Sequence, residues 1–286
     1  MGINDIIIPD AQFSLHQDNY QNLLKSVEIG NTPQYLYKYL SINRFMQFLS
    51  NGKLLFSRYD MLNDPFECTA NVRVQYSYEE WLDFLLGADT DLTLAQSEAQ
   101  RLSADIEYAR VVIGRALTTS LNKDGFLCLT KKFDNLLMWA HYTDSHKGVC
   151  LEFDITKDLD TFYTPFAVEY TNEYPCYDYI YDNGGAIRSI LHKSPDWAYE
   201  EEYRIVKPGG YGLSKVRPES LTSVIFGCQF DKTLFPQIRQ SVQDAGFHPV
   251  LLEINWRREH VLKCEAYGSR SKTTMDECVG SSAAET

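Results

Sequence analysis

Three consecutive glutamates in WAYEEEYRIV (197–206) are the residues whose spacing comes closest to a reactive centre. In a strand, Glu200 and Glu202 project to one face together with Arg204, and Glu201 to the other. Two carboxylates on one face are unfavourable unless they are solvated, paired or used. Pairing with Arg204 makes an ordinary ion pair at an exposed edge. Use makes a carboxylate pair that holds a sugar hydroxyl and stabilises positive charge on an anomeric carbon. Spacing does not choose between the two.

Two further stretches carry dense polarity. In SRYDMLNDPFE (57–67), Asn63-Asp64-Pro65 is a strong turn signal, because Asn and Asp bond their own backbone and Pro fixes φ. Ser57, Arg58, Asp64 and Glu67 exceed what a turn requires, so a site loop and a plain loop both stand. In TKKFDNLLMWAHYTDSHKGVCLEFD (130–154), Trp139, His141 and Tyr142 share a short helix. A Trp and a Tyr three residues apart serve either core packing or an aromatic wall for a planar ring. His141 and His146 lie five apart, off one helical face, with no third ligand to complete a zinc set. Nucleophile elbow, phosphate loop, dinucleotide GxGxxG and HExxH are all missing from the chain.

The elements that position these residues alternate between strand and helix patterns. LYKYLS (36–41) alternates as a strand; Ile42, Phe45, Met46 and Leu49 then fall on one helical face, stopped by Asn51-Gly52 before the strand KLLFS (53–57). GFLCLT (125–130) and GVCLEFD (148–154) read as strands around a helix at 136–142. PFAVEY (165–170), EYRIV (202–206), SVIFG (223–227) and VLLEI (250–254) read as further strands, with helices near 184–193 and 232–245. Between 75 and 118 the spacing turns helical, from Trp81, Leu82, Leu85 and Leu86 to Ile106, Ala109 and Ile113, which marks a helical insertion. The expected class is α+β with a mixed or antiparallel β core. The organisation is an N-terminal extension (1–34), one α+β domain (35–267) and a disordered tail (268–286), whose composition lacks a packing pattern.

Composition narrows the function. The 286 residues carry 39 Asp plus Glu against 27 Lys plus Arg, a formal charge of −12. A general nucleic-acid coating protein is excluded by that sign, although a local basic groove is not. Residues 76–110 hold 8 acidic and 2 basic groups, so about half of the excess sits on the insertion. With no apolar run near the roughly 18 residues of a membrane span and no signal-peptide pattern, a cytoplasmic protein without a membrane partner is expected. Seven scattered cysteines without CxxC, three of them (Cys128, Cys150, Cys228) inside apolar runs, point to reduced, buried thiols.

In their order, LYKYLS, FSRYDMLNDPFE, the 128–154 stretch, WAYEEEYRIV and SVIFG resemble the bacterial domain of unknown function 2971, over about residues 35–255. The order of these blocks is in turn similar to that of the ADP-ribosyltransferase fold. That second resemblance places Lys38 where those enzymes have Arg or His, Thr130 where they have Ser or Thr, and Glu202 at the catalytic Glu, with Glu200 two residues ahead. Lysine departs from the pattern, lacking both the planar fork of Arg and the acceptor of neutral His. The resemblance implies NAD as substrate and a protein or nucleic-acid acceptor, in the setting of a bacterial toxin or anti-phage effector with a cognate antitoxin or regulator. Glu202 and Glu200 are the implied catalytic residues. Tyr37, Lys38, Tyr39, Ser57, Arg58, Asn63, Thr130, Trp139, His141, Tyr142 and Arg204 are the implied NAD-binding set. Two readings from other classes stand beside it: a ligand-sensing module in which the Glu–Arg cluster is structural, and a Mg²⁺-dependent nuclease built on Asp64, Glu67 and Glu200.

Overall fold

Strand β5 (Val149–Asp154) has all six residues buried, so it must lie inside a sheet covered on both faces, and the computed structural model places it there. The structure describes residues 17–64, 71–173, 176–182, 190–256 and 262–266. Around β5, an eight-stranded sheet is assembled from β1 (Tyr35–Leu40), β4 (Gly125–Thr130), β6 (Pro165–Ala167), β10 (Glu202–Lys207), β12 (Leu221–Phe226), β13 (Val250–Trp256) and β14 (Leu262–Ala266). Its order is β14-β13-β12-β5-β1-β4-β10-β6. Every pairing is antiparallel except β12 with β13, so the class is α+β with a mostly antiparallel sheet.

One face is apolar and thick. Leu36, Leu40, Leu127, Leu129, Leu151, Phe153, Ile205 and Val224 pack there against helices α2 (Ile42–Asn51) and α8 (Phe235–Asp244). Helix α2 forms where the sequence signals it: the Ser41 side chain accepts from Arg44 N–H at its start, and Gly52 ends it at φ 64° with its N–H on the Phe48 carbonyl. The N-terminal extension joins this core, since α1 (Gln17–Glu28) buries Leu23. The other face carries Tyr37, Tyr39, Cys150, Ile225 and Ile254 beneath α6 (Leu136–Tyr142).

Smaller ladders flank the sheet: β2 (Lys53–Phe56) with β11 (Gly212–Lys215), β3 (Asn71–Arg73) with β8 (Cys176–Asp178), and β7 (Glu169–Tyr170) with β9 (His192–Lys193). The helical insertion consists of α3 (Tyr78–Gly87), α4 (Leu92–Ala104) and α5 (Ile106–Lys123), packed on their own core of Trp81, Leu85, Ala95, Ala99, Leu102 and Ile113. A short helix α7 (Leu159–Phe162) follows β5.

Four sequence expectations are corrected. The helix expected near 184–193 is not seen where it can be judged: 183–189 lie outside the described residues, and His192–Lys193 is a strand paired with Glu169–Tyr170. PFAVEY is two strands, because the chain changes ladder at Val168, whose N–H bonds the Glu202 carbonyl. Strand β14 forms at Leu262–Ala266, where no strand is expected from the sequence, and the tail expected to be disordered (268–286) lies outside the described residues. Cys228 is exposed rather than buried, because β12 ends at Phe226 and the chain turns at Gly227; Cys176 is exposed as well.

Candidate functional site

The strand β1 exchanges six register pairs with β5 but a single one with β4, Tyr37 with Thr130. The sheet therefore opens between β1 and β4, and the Lys38 side chain fills the opening. Its ammonium donates to the Cys128 carbonyl at 2.7 Å, in place of a ladder N–H. Burial holds the Lys38 pKa below its ordinary value, against the opposing pull of Glu202 and Glu200.

Across β4, Thr130 pairs with Glu202 and Cys128 with Arg204, so these four side chains share one face of the sheet. Glu202 is 5% exposed and Arg204 0%. The Arg204 guanidinium grips Glu202 in a fork, Nε to Oε1 at 2.8 Å and a terminal nitrogen to Oε2 at 2.9 Å, and gives its other terminal nitrogen to the Ile190 carbonyl. Lys193 lies between the carboxylates, 2.6 Å from Glu200 and 3.3 Å from Glu202, with its ammonium 4.6 Å from the centre of the Trp197 ring. The Glu202 backbone N–H is taken by the Tyr170 hydroxyl.

The glutamates converge by a different route from strand alternation. Pro195–Glu200 is a 3₁₀ turn capped by the Ser194 side chain, Glu201 sits at φ 42°, and β10 begins only at Glu202. A left-handed, non-glycine residue between the two carboxylates is strained. It turns Glu201 outward to Lys131 and Lys132 and both neighbours inward to Lys193. The exposed edge expected from the sequence is thus a buried four-charge cluster.

Burial pushes the Glu202 pKa up, but Arg204 and Lys193 outweigh it and hold the carboxyl at about 2. The neighbouring Cys128 thiol is pushed well up by burial and by Glu202, and stays protonated. Tyr142, which donates to Glu200 at 2.5 Å, is raised by burial and then by Glu200, so it remains a phenol. Asn63 donates to the same hydroxyl. A continuous chain therefore runs from the loop at Asn63 through Tyr142, Glu200 and Lys193 to Glu202 and Arg204.

Of the residues expected to bind NAD, Asn63, Tyr142, Arg204 and Thr130 gather with Glu200 and Glu202 around this chain, whereas Lys38 leaves β1 on the face of Leu36 and Leu40 and reaches only the Cys128 carbonyl. Trp139 is fully buried, donates its indole N–H to the Phe133 carbonyl and meets Tyr39 edge-on, so it packs the core. Tyr39 donates to the Lys132 carbonyl and Tyr37 to Glu152. Ser57 bridges to Phe126, four residues along β4 from Thr130 and two from Cys128, and Arg58 pairs with Asp60, so neither bonds to the cluster. His141 is exposed, its ring 6.3 Å from that of Tyr199. Of the nuclease set, Glu67 lies outside the described residues. No group of three His, Cys, Asp or Glu side chains gathers among the described residues.

Lys193, Trp197 and Tyr170 carry no signal of a site in the sequence, and Cys128 reads there only as a buried thiol. The available signal was a count of charge: two glutamates buried beside one arginine require a second cation within reach.

The second stretch of unusual backbone closes α6. Asp144, Ser145 and His146 are successive left-handed residues, at φ 51°, 59° and 68°. Their turn is held by Ser145 N–H on the Ala140 carbonyl and His146 N–H on the Trp139 carbonyl. Gly227 lies so close that a Cβ there would meet the His146 carbonyl at 2.1 Å. This turn fixes the end of the helix that carries Tyr142.

Residues 138–205 match the model of a family described as protein of unknown function (DUF2971). That span runs from α6 into β10 and takes in Tyr142, the left-handed turn, Lys193, Glu200, Glu202 and Arg204. No curated protein matches the chain, and no solved structure does. No helix among the described residues is long and apolar enough to cross a membrane.

Proposed function

We propose that this protein consumes NAD, binding it over the opening between β1 and β4 and transferring ADP-ribose to a protein or nucleic-acid acceptor. The observation that carries the reading is the register that sets Thr130 beside Glu202 on one face of the sheet, with Lys38 on the next strand and its ammonium on the Cys128 carbonyl, where the resemblance to ADP-ribosyltransferases expects a cation, a hydroxyl and a carboxylate. Breaking the bond between nicotinamide and ribose leaves an oxocarbenium-like sugar. A carboxylate bonded to a ribose hydroxyl stabilises that charge more than it stabilises the ground state.

The two glutamates divide the work. Glu202 accepts from both faces of the Arg204 fork, from Lys193 and from the Cys128 thiol, which fills the four acceptor positions of a carboxylate. Among the described residues, Glu200 accepts from Tyr142 and Lys193, two bonds against the four of Glu202. Glu202 thus anchors the cations, and Glu200 receives the ribose or acceptor hydroxyl, reached from the side of Asn63 and Tyr142. Expression in cells is expected to be toxic, as for a toxin or phage-defence effector.

The test is transfer of label from NAD to protein and nucleic-acid acceptors. Wild type labels an acceptor, and Glu200→Gln does not while its melting curve keeps its shape. A wild type that neither binds NAD nor labels any acceptor overturns the reading.

A second reading, a non-catalytic ligand-sensing module, is favoured by the burial of both carboxylates to 5% exposure or less. It expects a ligand to raise the melting temperature by mass action without turnover.

A further inference from the structure

Large apolar side chains are exposed together, beside unbalanced charge, in two places. On the outer face of the β2–β11 ladder, Leu55 stands directly opposite Leu213, and Lys53 directly opposite Lys215. Leu55 is 43% exposed and Leu213 58%, with Tyr211, at the start of β11, at 57%. Neither lysine ammonium pairs with a carboxylate among the described residues. Like charges opposed across a ladder destabilise it, and on a chain of net charge −12 the sequence has carboxylates to spare for that position. An uncompensated cationic rung beside an uncovered leucine rung is a surface shaped for something else.

The turn between α3 and α4 presents the opposite combination. Leu86 and Leu92 are exposed there, and Asp83, Asp89 and Asp91 are exposed around them. No Lys or Arg occurs between Arg73 and Arg101. A leucine pair set among aspartates matches a leucine pair set beside lysines in size, polarity and sign. Aliphatic side chains neither stack on bases nor pair with phosphates, so a nucleic acid does not bury the leucine rung.

We propose that the α3–α4 turn of one copy docks on the β2–β11 face of a second copy, Leu86 and Leu92 covering Leu55 and Leu213 while the aspartates meet Lys53 and Lys215. The two surfaces are different, so the contact is head-to-tail, and it closes into a ring or extends into a chain of copies. It is independent of the reaction proposed above.

The test is sedimentation velocity of the full chain at about 100 µM, in about 50 mM and about 500 mM NaCl, chosen because the screening length shrinks from about 14 Å to about 4 Å across that range. Wild type sediments as an oligomer at low salt and shifts toward the monomer at high salt. Lys53→Glu with Lys215→Glu gives a monomer at both, and so does Leu55→Ser with Leu213→Ser, each with an unchanged circular dichroism spectrum. Adding Asp83→Lys and Asp89→Lys to the lysine variant restores association, because both halves of the contact are then reversed. A wild type that is monomeric at low salt, or an oligomer that the lysine variant leaves intact, overturns the proposal. So does wild type that remains monomeric alone yet sediments with anionic vesicles, since the face then serves a lipid surface.

Discussion

Two regions of this molecule use charge in opposite ways. Over β4 and β10, Lys193, Glu200, Glu202 and Arg204 are each at most 5% exposed and tie β9 to the start of β10. On the helical insertion, Glu98 with Arg101 and Glu107 with Arg110 are i,i+3 pairs at 3.9 and 3.4 Å whose arginines stand about 60% in solvent. The insertion is held instead by its own apolar core, by the Ser77–Glu80 capping box and by the Asp91 and Asp105 caps. Ion pairs in water are screened and entropically costly, whereas a buried pair becomes a structural commitment once either partner is lost.

The contrast is broken most directly at Arg204. Replacing it with Met strands Glu202 beside the apolar sheet, and a loss of about 3–5 kcal/mol is expected by urea unfolding. Adding Glu202→Gln to that variant recovers part of the loss, because the two changes are coupled. If Arg204→Met unfolds like wild type, the cluster contributes nothing to the fold.

Acid provides the next largest effect. The folded pKa of Glu202 is depressed to about 2, so its contribution is present above the unfolded value near 4.5 and disappears as pH falls through that window toward 2. Two to three pH units of depression correspond to about 3 kcal/mol. Unfolding midpoints measured from pH 5 to pH 2 should fall more steeply for wild type than for the double variant of Arg204 and Glu202.

A smaller effect sharpens the account of backbone strain. Asp144 is exposed and left-handed, a conformation that disfavours side chains by about 1 kcal/mol and glycine not at all. Asp144→Gly should gain about 0.5 kcal/mol after the larger entropy of the unfolded glycine is subtracted. A loss instead would mean that the Asp144 side chain contributes to the turn. The smallest effect belongs to the surface: Arg110→Ala should leave the melting temperature unchanged within error, and a clear drop would erase the difference between the two regions.

Much of the framework was legible. Strands β1, β4, β5, β10, β12 and β13, and helices α2 and α6, follow from apolar alternation, turn residues and caps within a few residues of one another, and the insertion follows from its change of period. The parts that were not legible depend on distant residues. Lys193 reads as one lysine in a polar stretch until β9 folds against β7 and brings it to Glu200 and Glu202. Glu201 reads as a strand residue because nothing in EEE announces a left-handed turn; Lys131 and Lys132, seventy residues earlier, reward it. Trp139 reads equally as core or as a ring-stacking wall, and only the packing of Tyr39 and the Phe133 carbonyl around it settles its place in the core.

Release of nicotinamide shows whether the cluster beside the opened sheet presents a carboxylate to NAD. Wild type incubated with NAD should release nicotinamide, Tyr142→Phe should alter the rate without abolishing it, and Glu200→Gln should lower it about 100-fold while still binding NAD. A wild type that releases none, or a Glu200→Gln variant as fast as wild type, would contradict the account.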